Sequence, residues 1–157
     1  RVHFMKTDKR KKICLISSSG GHFEQLKMLQ PLSKNYHLVL ITEDTEYSSE
    51  ADYYLIQTGM RDRLFPLKMI INSIKSIKIW VKEKPDYIIS TGAMVVIPIA
   101  LIAKLCKKKV VFIETFATVY DGTRTGRFMY KIADLFIVQW EPLKKVYPNA
   151  VYGGSIY

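Results

Sequence analysis

The sequence predicts a single α/β domain in which helices pack against a parallel β-sheet. Short runs of β-branched residues alternate with longer segments of helical periodicity along the chain, an order typical of right-handed β-α-β units. The 157 residues are enough for one domain and too few for two typical ones. No repeat, low-complexity tract or linker interrupts this order, so we expect one Rossmann-like domain.

Strands are predicted where β-branched and aromatic residues cluster, and helices where apolar residues recur every three or four positions. The predicted strands are residues 13–17, 36–42, 53–57, 87–90, 110–114, 135–138 and 150–152. The predicted helices are residues 22–32, 64–84, 95–107, 126–133 and 142–147. Pro31 helps to end the first helix, and Pro85 helps to end the second.

The domain is expected to span residues 13–157, after a basic N-terminal tail over residues 1–12. Residues 1–4 precede Met5, the predicted native start. The apolar run after the tail is only strand-sized, so a secretory signal is not predicted. The longest apolar run, residues 93–103, ends at Lys104 and is too short to span a bilayer.

Composition and charge narrow the possible partners. The chain is 48% hydrophobic and 24% charged, which is typical of a globular protein. A net charge of +10 favours an anionic partner, but the basic residues do not form a known nucleic-acid module, so nucleic acid is not expected. Cys14 and Cys106 lie far apart in apolar runs and are predicted to be buried thiols. No residue cluster indicates a metal, and no cofactor is predicted.

The loop after the first strand, residues 17–22, is the first candidate site, because parallel sheets bind ligands at the carboxyl ends of their strands. Gly20 and Gly21 allow a sharp turn, and the amides that start the next helix can form an anion cradle beside Ser19. The loop is neither a dinucleotide fingerprint nor a P-loop. The helix dipole favours a neutral imidazole at His22, as a general base requires; a histidine without a chemical role is the alternative.

Two later loops also follow strands. Thr91 and Gly92 come after the fourth strand and are candidates for a phosphate or sugar contact, although capping of the next helix explains the hydroxyl equally well. Glu114 follows the fifth strand and can bind a sugar hydroxyl, orient His22 or act as the base; a capping or salt-bridged glutamate is the alternative. Downstream, Arg124 and Arg127 suit phosphate, or form a solvated basic loop.

Glu43 and Asp44 close the second strand, where dinucleotide-binding enzymes place a ribose-binding acid. Without the glycine fingerprint, this ribose role is disfavoured.

The segment 64–84 is a basic amphipathic helix with a local net charge of +5 over residues 61–84. One stripe is expected to cover the sheet; it consists of Leu67, Ile70, Ile74, Ile77 and Val81. The lysines on the other side, with flanking aromatic residues, are typical of a helix at a lipid headgroup plane, although a merely solvated face would also explain them. The predicted membrane contacts are Phe65, Lys68, Lys75, Trp80 and Lys82.

Taken together and in this order, these motifs resemble a known family: the membrane-side subunit of the bipartite UDP-GlcNAc transferase of N-glycan assembly. The similarity is greatest to its bacterial capsule and exopolysaccharide counterparts of the CpsF, EpsF and PssD type. The segments that carry the resemblance are residues 18–22 (SSGGH), 90–93 (STGA) with Pro98, 112–117 (FIETFA), 132–140 (IADLFIVQW) and 147–154 (YPNAVYGG).

The resemblance implies the N-terminal, acceptor-side half of an inverting GT-B glycosyltransferase, similar to the N-terminal half of MurG. It implies that a separate chain, equivalent to the C-terminal half, binds the UDP-sugar. The acceptor would be a polyprenyl-diphosphate-linked saccharide, and the protein would be peripheral at the cytoplasmic face of a bacterial cell membrane. No metal is implied. Since the eukaryotic members have an N-terminal membrane anchor and residues 1–12 do not resemble one, the mode of attachment stays open.

The resemblance also implies residue roles. His22 matches the proposed base position, Glu114 matches an acidic position, and both are predicted to be catalytic. The predicted substrate-binding residues are Ser19, Gly20, Gly21, Thr91, Gly92, Thr115, Arg124 and Arg127. The alternative function is a non-catalytic membrane scaffold that recruits and activates the donor-binding subunit. A nucleotide-binding module of unrelated function is a third possibility, which the missing fingerprint disfavours.

Overall fold

The computed structural model describes residues 9–46 and 50–157. Their strands form one seven-stranded sheet of order β3-β2-β1-β4-β5-β6-β7, and every neighbouring pair is parallel. The strands are β1 (Lys12–Ser17), β2 (His37–Asp44), β3 (Tyr53–Ile56), β4 (Tyr87–Gly92), β5 (Lys109–Ile113), β6 (Leu135–Val138) and β7 (Val151–Tyr152).

Four α-helices connect these strands: α1 (Gly21–Lys27), α2 (Phe65–Glu83), α3 (Ile97–Leu105) and α4 (Arg124–Ile132). Short 3₁₀ helices lie at Gln30–Lys34, Met94–Val96 and Glu141–Lys145. Each of these three overlaps one end of a segment that was predicted to be α-helix. The first predicted helix is shortened because Pro31 lies within the first turn of the 3₁₀ segment, and proline cannot continue an α-helix.

The two faces of the sheet carry separate clusters of buried side chains. Along β1, Cys14 and Ile16 belong to the larger cluster, and Ile13 and Leu15 belong to the smaller one. This alternation follows from the two-residue period of a strand. The small cluster includes Phe23 and is covered by α1, while the large one includes residues of α2, α3 and α4.

The predicted strands and their order are confirmed, with bounds shifted by one or two residues. The predicted tail reaches one residue too far, because Lys12 already belongs to β1. Its backbone N–H donates to Asp86 at 2.9 Å and its ammonium group pairs with Glu83 at 2.8 Å. Residues 1–8 of the tail, including Met5, lie outside the described residues. No described helix is long and apolar enough to cross a membrane.

The orientation predicted for α2 is wrong. The five aliphatic residues that were expected to cover the sheet are between 50% and 63% exposed. They form a row, which we call the aliphatic row, made of Leu67, Ile70, Ile74, Ile77 and Val81. The buried side of the helix instead contains Asn72, Ser76 and Ile79.

The edge strand β3 explains why polar residues of α2 face inward. Asn72 is fully buried, its Oδ1 accepts from the backbone N–H of Ile56 at 2.8 Å, and its Nδ2 donates to the carbonyl of the same residue at 2.8 Å. These two bonds satisfy backbone groups at the end of a strand that has a single neighbour, β2. The pairing of Asn72 with Ile56 thus determines which side of α2 faces the sheet.

The side chains of α2 that were predicted to contact the membrane also contact other parts of the protein. Trp80 is partly buried against the large core cluster, and Phe65 lines a cavity described below. Lys68 pairs with Asp62, and this hydrogen bond lowers the pKa of the Asp62 carboxyl. Lys75 donates to the carbonyl of Tyr54 at 3.3 Å, and Lys82 lies 5.5 Å from the ring centroid of Tyr53.

The two cysteines differ in exposure, which corrects the prediction that both are buried. Cys14 is buried, and burial raises the pKa of its thiol to about 12. Cys106 is exposed and forms the C-cap of α3. Only a thiolate is an efficient nucleophile.

We therefore expect an alkylating reagent such as N-ethylmaleimide at pH 8 to modify one thiol in the folded protein and two after denaturation. Mass spectrometry of the labelled peptides measures this directly, and the labelled residue should be Cys106. Labelling of Cys14 in the folded chain at a comparable rate would contradict the buried position.

Candidate functional site

The first two candidate loops meet at the carboxyl ends of β1 and β4. The backbone N–H of Ser18 donates to the carbonyl of Gly92 at 2.9 Å. Gly20 has a φ of 75°, in the left-handed region where glycine is favoured. It forms the N-cap of α1 and accepts from the amides of Phe23 and Glu24. The two loops therefore form one surface, as their positions in the sequence predict.

His22 is fixed by two hydrogen bonds to one residue. Its Nδ1 lies 2.8 Å from the backbone carbonyl of Thr91, and the hydroxyl of Thr91 donates to the backbone carbonyl of His22 at 2.6 Å. A carbonyl oxygen only accepts hydrogen bonds, so Nδ1 carries the proton. Nε2 of the neutral ring then has a free lone pair. This is the tautomer that a general base needs.

Gly92 is required by the position of the His22 ring. A Cβ atom at residue 92 would lie 2.8 Å from Nδ1 and 2.9 Å from Cε1 of His22. The φ of Gly92 is also 115°, which side-chain-bearing residues rarely adopt. Thr91 and Gly92, predicted as substrate contacts, thus position His22.

Glu114 lies in a different setting from His22. It is 1% exposed, and its Oε1 accepts from the N–H of Thr115 at 3.0 Å and from the hydroxyl of Thr123 at 3.0 Å. Its Oε2 accepts from the hydroxyl of Tyr147 at 2.7 Å and from the N–H of Thr123 at 3.2 Å. Both oxygens are therefore occupied by protein donors. The predicted catalytic role of Glu114 does not fit this geometry, because no oxygen is left for a proton or a sugar.

Tyr147 and two glycines complete the surroundings of Glu114. Burial and the hydrogen bond to Glu114 raise the pKa of the Tyr147 hydroxyl, so it stays a donor. A Cβ at Gly126 would meet Oε2 of Glu114 at a distance of 1.9 Å, and one at Gly122 would meet the Tyr147 hydroxyl at 2.0 Å. Both positions require glycine because the carboxylate and the phenol approach the backbone.

Thr115 belongs to a second buried network next to Glu114. Gln25 donates from Nε2 to the Thr115 hydroxyl at 3.3 Å, and its Oε1 accepts from Gln139 at 2.8 Å. Gln139 also donates to the backbone carbonyl of Glu114 at 3.0 Å and accepts from the N–H of Ile156 at 2.9 Å. Thr115 is thus buried, and it joins α1 to β5 instead of contacting substrate as predicted.

A cavity of about 340 Å³ opens beside these loops at the carboxyl edge of the sheet. Its volume is within the usual range for small-molecule sites. The polar part of the lining is Ser18, Ser19, Glu43, Thr58, Thr123, Arg124 and Thr125. The apolar part is Met60, Phe65, Ala93 and Met94.

The two arginines predicted to bind phosphate lie on different surfaces. Arg124 lines the cavity at the first residue of α4, whose N-cap Thr123 accepts from the N–H of Gly126 at 2.9 Å. Arg127 is exposed and pairs with Asp121, and it does not line the cavity. The helix dipole and the guanidinium of Arg124 both favour an anion at the cavity.

The structure thus brings only part of the predicted site together. Ser19 and Arg124 line the cavity, while Gly20, Gly21 and His22 follow Ser19 in the same loop and are not part of the lining. Glu114 and Thr115 are buried, and Arg127 is turned to Asp121. The sequence did not identify Thr58, Met60 and Met94 as site residues, and it assigned Phe65 to the membrane contact instead of the cavity. The only signal of these four residues is that they lie just after a strand or at the start of a helix.

Part of the sequence that forms this site matches a known family. The model of the family described as "Oligosaccharide biosynthesis protein Alg14 like" covers residues 63–156. The chain belongs to this family. The matched range contains the strands β4 to β7. It also contains the loop of Thr91 and Gly92, the residue Glu114 and the start of α4. The Alg14-like assignment confirms the family predicted from the loop motifs. The bacterial counterparts are a finer assignment and stay a prediction.

Curated Alg14 proteins align with almost the whole chain. One is the human protein named UDP-N-acetylglucosamine transferase subunit ALG14, which is 27% identical over 177 residues and spans 92% of this chain and 82% of its own length. The protein of the same name from Candida albicans is also 27% identical, over 169 residues that span 92% of this chain and 77% of its own length.

Solved structures confirm the predicted fold. MurG of Acinetobacter baumannii superposes with a TM-score of 0.69 at 15% identity and covers 84% of this chain. The UDP-N-acetylglucosamine 2-epimerase of Rickettsia bellii superposes with a TM-score of 0.74 at 16% identity and covers 94%. The chain spans 42% and 45% of these two structures. The Alg14-like chain is therefore a single Rossmann-like α/β domain, equivalent to the N-terminal half of a GT-B fold.

Replacing Tyr147 by Phe should lower the free energy of unfolding by about 1.5–3 kcal/mol, because it removes a hydrogen bond to a buried carboxylate. Chemical denaturation measures the change. Tyr152→Phe is the matched control, since Tyr152 is half exposed, and its effect should stay within about 0.5 kcal/mol. Equal effects of the two substitutions would contradict the structural role of the Glu114 network.

Proposed function

We propose that this Alg14-like chain is the acceptor-binding, membrane-associating subunit of a two-component inverting glycosyltransferase. The sugar would pass from a UDP-sugar to a polyprenyl-diphosphate-linked saccharide. The observation that carries the proposal is the position of His22 at the end of the loop whose Ser18 and Ser19 line the cavity, with Nδ1 bound to a carbonyl and Nε2 without a hydrogen bond to any described residue. Such a group can accept the proton of an acceptor hydroxyl.

The cavity supports an acceptor that contains both phosphate and sugar. Arg124 and the N-terminal turn of α4 supply positive charge for a diphosphate. The hydroxyls of Ser18 and Ser19 can donate to and accept from sugar hydroxyls, and the Thr58 hydroxyl, which donates to Glu43, can accept from them. Met60 and Phe65 at the start of α2 supply apolar surface on the same side.

A separate donor-binding subunit is proposed because the relatives from human and Candida albicans are named transferase subunits. The partner would be equivalent to the C-terminal half of a GT-B enzyme and would bind the UDP-sugar in the complex. Positive or dipolar groups of that half would stabilise the departing UDP.

The aliphatic row of α2 is proposed as the surface that contacts an anionic membrane. All five side chains point to solvent, and the lysines at positions 68, 75, 78 and 82 lie along one flank of the row on a helical projection. An exposed apolar row with a basic flank is typical of helices that lie at a lipid surface. Lys68, Lys75 and Lys82 were predicted as contacts and keep this role, and Lys78 is added to them. The aliphatic row replaces the packed Trp80 and the cavity-lining Phe65.

The bacterial context is also proposed. It is supported by the resemblance of the glycine-rich loops to those of capsule and exopolysaccharide subunits, with the protein peripheral at the cytoplasmic face of the cell membrane. A non-catalytic scaffold that recruits and activates the donor-binding subunit is the competing function. The two functions differ in one respect, because a non-catalytic scaffold does not require an oriented imidazole.

Replacing His22 by Ala should reduce turnover by about 10²–10⁴-fold in the complex reconstituted with the donor-binding subunit, because a general base is lost. Transfer is measured with a lipid-linked acceptor and a radiolabelled UDP-sugar. The matched control is His37→Ala, since His37 begins β2 at the opposite end of the sheet and its loss should leave turnover within about twofold. Complex formation should survive both substitutions.

Full activity of His22→Ala would favour the scaffold. The isolated chain should show little or no transfer, and robust turnover without a partner would contradict the two-component function.

Replacing Ile70, Ile74 and Ile77 together by Ser should weaken binding to phosphatidylglycerol vesicles by about tenfold or more, because apolar surface no longer enters the lipid. Cosedimentation measures the bound fraction. Leu105→Ser is the control, since Leu105 is 84% exposed at the end of α3. Reversing the charge of Lys68, Lys75 and Lys82 should add a salt-dependent loss of about 1 kcal/mol per lysine.

Binding that the triple serine variant retains in full would contradict a lipid contact of the aliphatic row. Thermal unfolding of the variant should be unchanged, because the three side chains are at the surface.

A further inference from the structure

Glu43 is a buried carboxylate in the cavity that the proposed base and phosphate contacts do not use. It lies near the end of β2, is 3% exposed and lines the cavity. Its Oε1 accepts from the backbone N–H of Thr58 at 3.0 Å and from the Thr58 hydroxyl at 2.9 Å. Within residues 9–46 and 50–157, Oε2 accepts no hydrogen bond. One oxygen is therefore fixed, and the other is available to a ligand.

The charge of Glu43 is not neutralised by the protein around it. No lysine or arginine of the described part of the chain forms a salt bridge with this carboxylate. A buried carboxylate with an incomplete set of donors destabilises a fold. Glu114 differs from Glu43, because both of its carboxylate oxygens accept hydrogen bonds, from Thr115, Thr123 and Tyr147. The geometry of Glu43 is thus that of a binding group.

The chemistry of the lining identifies the ligand class. The free Oε2 requires a donor such as a hydroxyl or an amide N–H, and it repels phosphate. Hydroxyls of Ser19 and Thr58 and the ring of Phe65 line the same cavity. A carboxylate, hydroxyls and an aromatic ring together suit a saccharide. Among the described residues of the lining, Arg124 supplies the only guanidinium, and it suits the diphosphate to which such a saccharide is linked.

We propose that Glu43 is the specificity-determining residue that binds hydroxyl groups of the acceptor saccharide, with Thr58 holding its carboxylate in place. The inference rests on the proposed function, in that it takes the ligand to be a lipid-diphosphate-linked sugar. Glu43 acts on binding and orientation of the saccharide, while His22 accepts the proton. No covalent step involves Glu43.

The test compares two soluble probes on the intact chain by isothermal titration calorimetry. One probe is farnesyl diphosphate, and the other is farnesyl diphosphate linked to one glucose or one N-acetylglucosamine. The wild type should bind the glycosylated probe about tenfold or more tightly, because hydrogen bonds to a charged group are strong. E43Q should lose most of this difference and keep the affinity for farnesyl diphosphate.

Two further variants sharpen the test. Asp44→Asn is the matched control, since Asp44 follows Glu43 on the same strand and is exposed, and it should keep the difference between the probes. Thr58→Val should reduce the difference in the same direction but less, because it removes one of the two bonds that hold Oε1. Circular dichroism checks folding, and Thr58→Val serves as the test if E43Q is unfolded.

Each remaining outcome overturns a distinct statement. An undiminished preference of folded E43Q for the glycosylated probe would overturn the role of Glu43. Equal affinity of the wild type for both probes would also overturn the role of Glu43. The proposed acceptor binding would then be supported by recognition of the diphosphate alone. A wild type that binds neither probe would overturn the proposed function itself, and this inference with it.

Discussion

The buried carboxylate of Glu114 is the constraint on which the geometry of the site depends. Removing a carboxylate from water is costly unless donors replace the lost hydration, and here they come from Thr115, Thr123 and Tyr147. These donors belong to three parts of the chain, namely the end of β5, the N-cap of α4 and the segment before β7. Satisfying one charge therefore fixes where α4 begins. Arg124 and Thr125 line the cavity because of that position.

The same need to satisfy buried polar groups determines how α2 lies on the domain. Asn72 pairs with both backbone groups of Ile56, so the side of the helix that contains it must face the sheet. The aliphatic row then lies on the opposite side by helical geometry. An apolar surface that a monomeric protein would normally bury is left exposed. On the proposed function this exposure is useful, because a lipid surface covers it.

The sequence predicted what depends on local pattern and missed what depends on distant partners. The order of the strands along the chain and their parallel pairing follow from the alternation of strand and helix patterns. The contact between the Gly20 and Gly92 loops follows from the position of both loops just after strands. The roles of Glu114 and Glu43 do not, since both are carboxylates near strand ends. Glu114 accepts a hydrogen bond from Tyr147, 33 positions later. Among the described residues, Glu43 accepts hydrogen bonds only from Thr58. The exposure of the aliphatic row likewise depends on Asn72 meeting Ile56, which periodicity alone cannot show.

Cavity and aliphatic row share one rigid element. Phe65 lines the cavity at the first residue of α2, and the row begins at Leu67 and reaches Val81, so the helix extends about 24 Å from the cavity at 1.5 Å per residue. A helix that lies on a membrane would therefore hold the cavity at a fixed height beside the lipid headgroups. On the proposed function, a diphosphate-linked saccharide projects from the bilayer at the headgroup level, so the sugar would reach the cavity while its lipid stays in the membrane. The chain would then present the acceptor to a partner that never contacts the lipid.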